Sequence, residues 1–198
     1  MNKLKNICVY CGSNVGNHNS FKQKAEVLGK LLAEKKITLV YGGANVGLMK
    51  ILAETVLNNG GKAIGVITHF LSEKHLVQQG LSELILVNTM QERKAKMAEL
   101  ADGFIVLPGG IGTMEEFFEV LTSAQLGFHE KPIGLLNING YYDLLLNFFD
   151  NMIKEKLFLP VHRSIVISEN NPEKIIEIMY SYKAPKAGKW IEKIIAEN

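Results

Sequence analysis

Seven short apolar runs alternating with stretches of helical periodicity constrain this chain more than anything else in it. The runs are Ile7–Tyr10, Ile37–Tyr41, Ala63–Ile67, Leu84–Val87, Phe104–Leu107, Ile133–Leu136 and Ile165–Ile167. Among them, helical spacing covers about 19–35, 47–58, 90–101, 113–127, 140–155 and 172–181. A strand that reads as an unbroken hydrophobic run is covered on both faces, and regular alternation with helices builds a parallel sheet. The expected fold is α/β: a doubly wound, Rossmann-like parallel sheet with helices on both faces, in one domain over 1–198. A C-terminal tail is expected from about residue 184, and its Trp190-Ile191-x-x-Ile194-Ile195 pattern is amphipathic. Thr68–Glu83 is the longest stretch without periodicity and reads as a loop.

Composition narrows the function classes. The 198 residues carry a formal net charge of +2, with lysines scattered among acids, and only Lys183–Lys189 reads as a basic stretch. A nucleic-acid polymer is therefore not an expected partner. No apolar run approaches the roughly 20 residues of a bilayer span, so no membrane is expected either. Ile7–Tyr10 is too short for a signal-peptide core, which makes the expected compartment cytoplasmic. The two cysteines, Cys8 and Cys11, have the spacing of a redox motif or of half a zinc site. The missing second pair of ligands favours a plainer reading, small residues closing the first strand, and no metal or cofactor is expected.

In open α/β sheets, ligands sit outside the C-terminal ends of the strands. Three glycine-bearing junctions fall there: Cys11-Gly12-Ser13, Tyr41-Gly42-Gly43 and Pro108-Gly109-Gly110; a fourth glycine, Gly65, lies inside its strand. The junctions converge on one rim as a single phosphate-and-sugar site. Leu107-Pro108-Gly109-Gly110-Ile111-Gly112-Thr113-Met114-Glu115-Glu116 joins a strand to a helix through three glycines. Such a backbone closes around an anion, the helix N-terminus adds its dipole, and Glu115 and Glu116 are expected in the first turn beside it. A competing reading makes Thr113-x-x-Glu116 a capping box with no ligand. Gly42-Gly43-Ala44-Asn45-Val46-Gly47 departs from the dinucleotide fingerprint, and no acidic residue ends the third strand, which disfavours a dehydrogenase. No P-loop is present.

The second constellation opens the helix over 90–101. Met90, Met97, Leu100 and Ala101 share a face there, with Arg93 and Lys94 flanking it. Two cations at a buried face need an anion, a carboxylate or a ligand phosphate, and Arg suits bidentate contact. His75 and His129 lack metal-ligand spacing and read as loop residues.

Glu92-Arg93-Lys94 followed by Pro-Gly-Gly-Ile-Gly-Thr-Met-Glu-Glu resembles the Lonely Guy (LOG) family of cytokinin riboside 5′-monophosphate phosphoribohydrolases. Many of that family's members are mislabelled as lysine decarboxylases. Cys11-Gly12-Ser13, Tyr41-Gly42-Gly43, Thr122–Gly127 and Lys131–Asn137 match its pattern too, so the likeness spans nearly the whole chain. It implies hydrolysis of the N-glycosidic bond of an N6-modified adenine nucleotide or AMP, giving free base and ribose 5-phosphate. By match to the motif, Arg93 and Glu116 are the catalytic pair. Gly109, Gly110, Ile111, Gly112 and Thr113 hold the ester, with Ser13, Gly42 and Gly43 beside them, while Lys94, Glu115 and Thr122 line the pocket. His75 stands where many members carry a glutamate. The family typically forms homodimers, for which Phe117–Phe118 and Leu126–Phe128 supply apolar surface. A decarboxylase needs pyridoxal phosphate on a Schiff-base lysine, which nothing here marks. The competing class is a nucleotide or cofactor carrier, similar in fold to molybdenum-cofactor carriers, using the same cradle without turnover.

Overall fold

The structure, a computed structural model, describes residues 3–74 and 76–185. His75 and the Trp190–Ile195 pattern lie outside the described residues, as does the expected tail beyond Pro185. The chain runs β1 (Asn6–Tyr10), α1 (Asn19–Glu34), β2 (Thr38–Tyr41), α2 (Gly47–Asn58), β3 (Ala63–Thr68), α3 (His69–Ser72) and β4 (Glu83–Val87). It continues through α4 (Met90–Leu100), β5 (Gly103–Val106), α5 (Ile111–Gln125), β6 (Ile133–Leu136), α6 (Asp143–Lys154), α7 (Pro160–Arg163), β7 (Val166–Glu169) and α8 (Pro172–Ser181).

All seven apolar runs become strands of one parallel sheet, ordered β4-β3-β2-β1-β5-β6-β7. Alternate side chains point to opposite faces, so each inner strand feeds two cores. Ile7, Val9, Leu39, Tyr41 and Ile105 pack with α1, α2 and α8. Cys8, Tyr10, Val40, Phe104 and Val106 pack with α4, α5 and α6. Cys8 and Cys11 are buried, reduced thiols, and desolvation pushes both far above the ordinary thiol range. Among the described residues, no group of three or more His, Cys, Asp or Glu is placed to hold a metal ion.

The sheet grows one way from β1 through β2 and β3, and the other way from β5 through β6 and β7. β1 and β5 are neighbours. The loops leaving them lead to α1 on one face and α5 on the other, which opens a crevice at their C-terminal ends.

Four expectations need correction. Edge strand β4 is not covered on both faces, because Leu84 and Leu86 remain 40% and 43% exposed. The loop expected over 68–83 contains α3, whose N-cap Thr68 accepts from the Leu71 N–H. It also pairs with the second glycine junction through an Ala44–Val77 bridge. The helix expected from 140 starts at Asp143, after a 3-10 turn over Ile138–Gly140 in which Asn139 takes φ +54°. Phe117, expected at an outer surface, is fully buried, whereas Phe118, Leu126 and Phe128 are exposed.

Candidate active site

Backbone bonds tie the loops of the rim together. The Gly12 N–H donates to Pro108 O at 3.1 Å, and the Leu48 N–H donates to Gly12 O at 3.0 Å. Gly47 adopts φ +54°, and a Cβ there would stand 2.2 Å from the Ser13 carbonyl carbon, so α2 starts directly against the Ser13–Asn14 backbone. Ser13, Phe21, Leu48, Pro108–Gly110 and Tyr141 line a crevice of about 220 Å³ at the β1/β5 junction.

Helix α5 begins at Ile111, two residues earlier than the sequence pattern indicates, and its N-cap is Gly110 with no side-chain cap. Thr113 therefore stands at the third helical position and Glu116 at the sixth. The capping-box reading fails, and so does the placement of Glu115 and Glu116 in the first turn, where no acid is present. Helix capping and the macrodipole thus leave Glu116 unexplained. The Met114 N–H makes its bond back to Gly110 O at 3.1 Å, which leaves the three preceding amides at the open helix end. A Cβ on Gly110 or Gly112 would meet nothing within 4 Å, and neither has a positive φ. The protein's own packing demands glycine at neither position; the space above them is free for a ligand. Gly109 differs, because a Cβ there would stand 2.1 Å from Thr113 Oγ1.

Arg93 reaches Glu116 of α5 from helix α4. Its helix is set by Thr89, whose hydroxyl accepts from the Glu92 N–H at 3.1 Å while the Glu92 carboxylate reaches back to the Asn88 N–H at 2.8 Å. Arg93 is buried; its Nε donates to Val66 O at 2.9 Å and its Nη1 to Glu116 Oε1 at 2.9 Å. The side chains are only 9% and 12% exposed. Burial pushes the Glu116 carboxyl above the ordinary carboxylate range, and the Arg93 guanidinium offsets that only in part. Gly42 fits under the guanidinium, with a Cβ position 2.1 Å from Nη2. Gly43, at φ +73°, packs on Gly65, whose own Cβ would come 2.8 Å from Gly43 Cα.

Lys94 turns along α5 and binds Glu115 and Glu119, both of which raise its pKa. That is the opposite of the depressed pKa a Schiff-base lysine needs. Met90, expected inward, is 44% exposed. Thr122 is exposed and stands eleven residues beyond Ile111, about 16 Å along the helix, so it does not join the cradle. His129 is held rather than free, with Nε2 against Val120 O at 3.0 Å and Nδ1 accepting from the Lys131 N–H at 3.2 Å.

Sequence reasoning missed two tyrosines. The Tyr142 hydroxyl donates to Leu107 O and the Tyr141 hydroxyl to Gly109 O, each at 2.6 Å, from the loop after β6. The turn-forming Asn137-Ile138-Asn139-Gly140 ahead of them marks a turn in the sequence but says nothing of the carbonyls the two hydroxyls reach.

The family model described as "Possible lysine decarboxylase" matches residues 49–179. A cytokinin riboside 5′-monophosphate phosphoribohydrolase of Arabidopsis thaliana is 40% identical over 196 residues, covering 99% of this chain and 92% of that protein. A second from the same plant is 44% identical over 180 residues, covering 91% and 84%. Among solved structures, a molybdenum cofactor binding protein of Rippkaea orientalis aligns with TM-score 0.68 at 23% identity, over 90% of this chain and 97% of that one. The molybdenum cofactor carrier protein of Chlamydomonas reinhardtii aligns with TM-score 0.69 at 18% identity, over 91% and 100%. These last two are likenesses of fold.

Proposed function

The chain belongs to the LOG family of cytokinin riboside 5′-monophosphate phosphoribohydrolases, and from that premise we propose that it hydrolyses the N-glycosidic bond of cytokinin-type adenine nucleotides or AMP. Water adds at C1′ of the ribose and the C1′–N bond breaks, its electron pair leaving with the base, which gains a proton. The products are free base and ribose 5-phosphate. The observation that carries this reading is a buried arginine–carboxylate pair beside an open glycine cradle at the sheet's switch point.

In this reading the amides from Gly110 to Thr113 hold the 5′-phosphate, with Gly109 and Ser13 shaping the space beside it, while Gly42 leaves room for the Arg93 guanidinium and Gly43 packs behind it on Gly65. Positive charge grows on the sugar as the bond breaks, as in glycoside hydrolysis. The Glu116 carboxylate faces that charge or orients the water. Arg93 keeps Glu116 ionised and aimed, its Nε and Nη1 donors being already engaged by Val66 and Glu116. Lys94 and Glu115 brace α4 against α5 at the pocket's side. A carrier would need the cradle but no buried carboxylate facing a sugar, so the Arg93–Glu116 pair favours turnover over carriage.

The reaction is tested by incubating the purified protein with AMP and with isopentenyladenosine monophosphate, then separating products by chromatography. Release of free base with an equal amount of ribose 5-phosphate is the expected result, whereas tight binding with no base released would support the carrier. The assembly proposed is a homodimer that buries Phe118, Leu126 and Phe128. Light scattering should give twice the chain mass, and a monomeric mass would remove it. The compartment proposed is the cytosol, in keeping with two buried, unpaired thiols.

A further inference from the structure

We infer that Tyr141 is a positioning residue: by holding the Gly109 carbonyl, its hydroxyl aims the Gly110 amide at the substrate's 5′-phosphate. The inference rests on the cradle being the phosphate site, as proposed above.

A trans peptide is planar, with its N–H antiparallel to its own carbonyl. Fixing the Gly109 carbonyl therefore fixes the direction of the Gly110 N–H. Two glycines in succession do not hold such a turn by themselves, since their backbone is the most free of any residue's. The restraint comes from outside. Pro108 O is held by the Gly12 N–H at 3.1 Å, and Gly109 O by the Tyr141 hydroxyl at 2.6 Å.

Tyr141 is itself held in place. Its ring meets Phe21 edge-on at 5.7 Å and Tyr142 at 4.9 Å. The turn carrying it contains Asn139 at φ +54° and Gly140 at φ +69°. Asn137 Oδ1 accepts from the Tyr142 N–H at 2.7 Å, and Asn139 Nδ2 donates to Ser20 Oγ at 2.6 Å, which ties the turn to α1. The ring remains 45% exposed and forms a wall of the crevice. Its single hydroxyl proton is committed to Gly109 O, so it has none to give an anion. Tyr141 acts through the backbone it orients.

Tyr142 supplies the control. Its hydroxyl bonds Leu107 O, and the Leu107–Pro108 peptide has no N–H to aim. Loss of that bond weakens the fold without redirecting a donor.

The experiment compares Tyr141→Phe and Tyr142→Phe with the parent, measuring base release from AMP and its inhibition by ribose 5-phosphate and by adenine. Tyr141→Phe removes only the hydroxyl of a residue 45% exposed and keeps the ring packing, so the core is untouched. In that variant the KM for AMP and the Ki for ribose 5-phosphate should rise about fivefold, the size of one ordinary hydrogen bond. Its kcat should stay within about twofold, and its Ki for adenine should equal the parent's. Tyr142→Phe should melt lower yet keep the parent Ki for ribose 5-phosphate. An unchanged ribose 5-phosphate Ki in Tyr141→Phe overturns the inference alone. An equal rise in Tyr142→Phe, or in the adenine Ki, reduces Tyr141 to a packing residue and overturns it as well. If ribose 5-phosphate does not inhibit the parent, the cradle reading itself falls and takes the inference with it.

Discussion

Glu116→Gln should stop base release almost completely, lowering kcat about 10³-fold, while ribose 5-phosphate still binds with near-parent affinity. The amide has the shape of the carboxylate, and its oxygen can still accept from Arg93 Nη1, a bond of 2.9 Å in the parent. What it lacks is the negative charge facing the sugar. Single-turnover measurement of base release gives the rate, and inhibition by ribose 5-phosphate gives the binding. A rate within tenfold of the parent would remove Glu116 from the chemistry. The pH dependence follows from the same residue. The working form is the carboxylate, and burial raises its pKa despite Arg93. Activity should therefore be lost as pH falls, with the acid limb of kcat/KM lying above the range of an exposed glutamate. Arg93→Gln withdraws the opposing charge, so in that variant the limb should move higher still. Stability runs the other way. A carboxyl whose folded pKa is raised binds its proton more tightly folded than unfolded, so keeping it ionised near neutrality works against the fold. Melting temperatures taken from neutral pH downward should show the parent gaining on Glu116→Gln as pH falls through the raised value.

The fold was legible where burial alone decides structure. Ile7–Tyr10, Ile37–Tyr41 and Phe104–Leu107 are apolar throughout because their strands lie inside the sheet between two helical layers. The same reasoning fails at β4, an edge strand whose Leu84 and Leu86 stay partly in solvent, since hydrophobic residues at an edge look no different in the chain. Helices α3 and α7, of four residues each, are too short to show a helical period. At the site, Arg93 was readable because a cation on an inward helical arc requires a partner, and the structure supplies Glu116. Helix α5 starts two residues ahead of its sequence pattern because Thr113 is a good cap by type, whereas Gly110 caps with backbone alone. The tyrosine pair was invisible because its hydrogen bonds span 32 and 35 residues, and no local pattern encodes contacts of that range.

Gly42→Ala should cost about 100-fold in kcat/KM, although it adds one methyl group far from the phosphate cradle in sequence. The reason lies in what the glycine touches. Its φ is not positive, so alanine suffers no backbone strain there. The new Cβ would stand 2.1 Å from Arg93 Nη2 and 3.3 Å from Cζ, and one partner must move. A free side-chain end would swing aside at little cost, but this one is buried and held at Val66 O and Glu116 Oε1. Moving the guanidinium breaks charge-assisted bonds of about 1.5–3 kcal/mol each and leaves Glu116 buried without its cation. Both the melting temperature and kcat/KM should therefore fall. The decisive comparison is a double-mutant cycle with Arg93→Ala. If the damage runs through the guanidinium, Gly42→Ala should add almost nothing once Arg93 is gone. Additive losses would mean that Gly42 acts elsewhere, and a parent-like kcat/KM in Gly42→Ala alone would show that catalysis does not depend on where this structure holds Arg93.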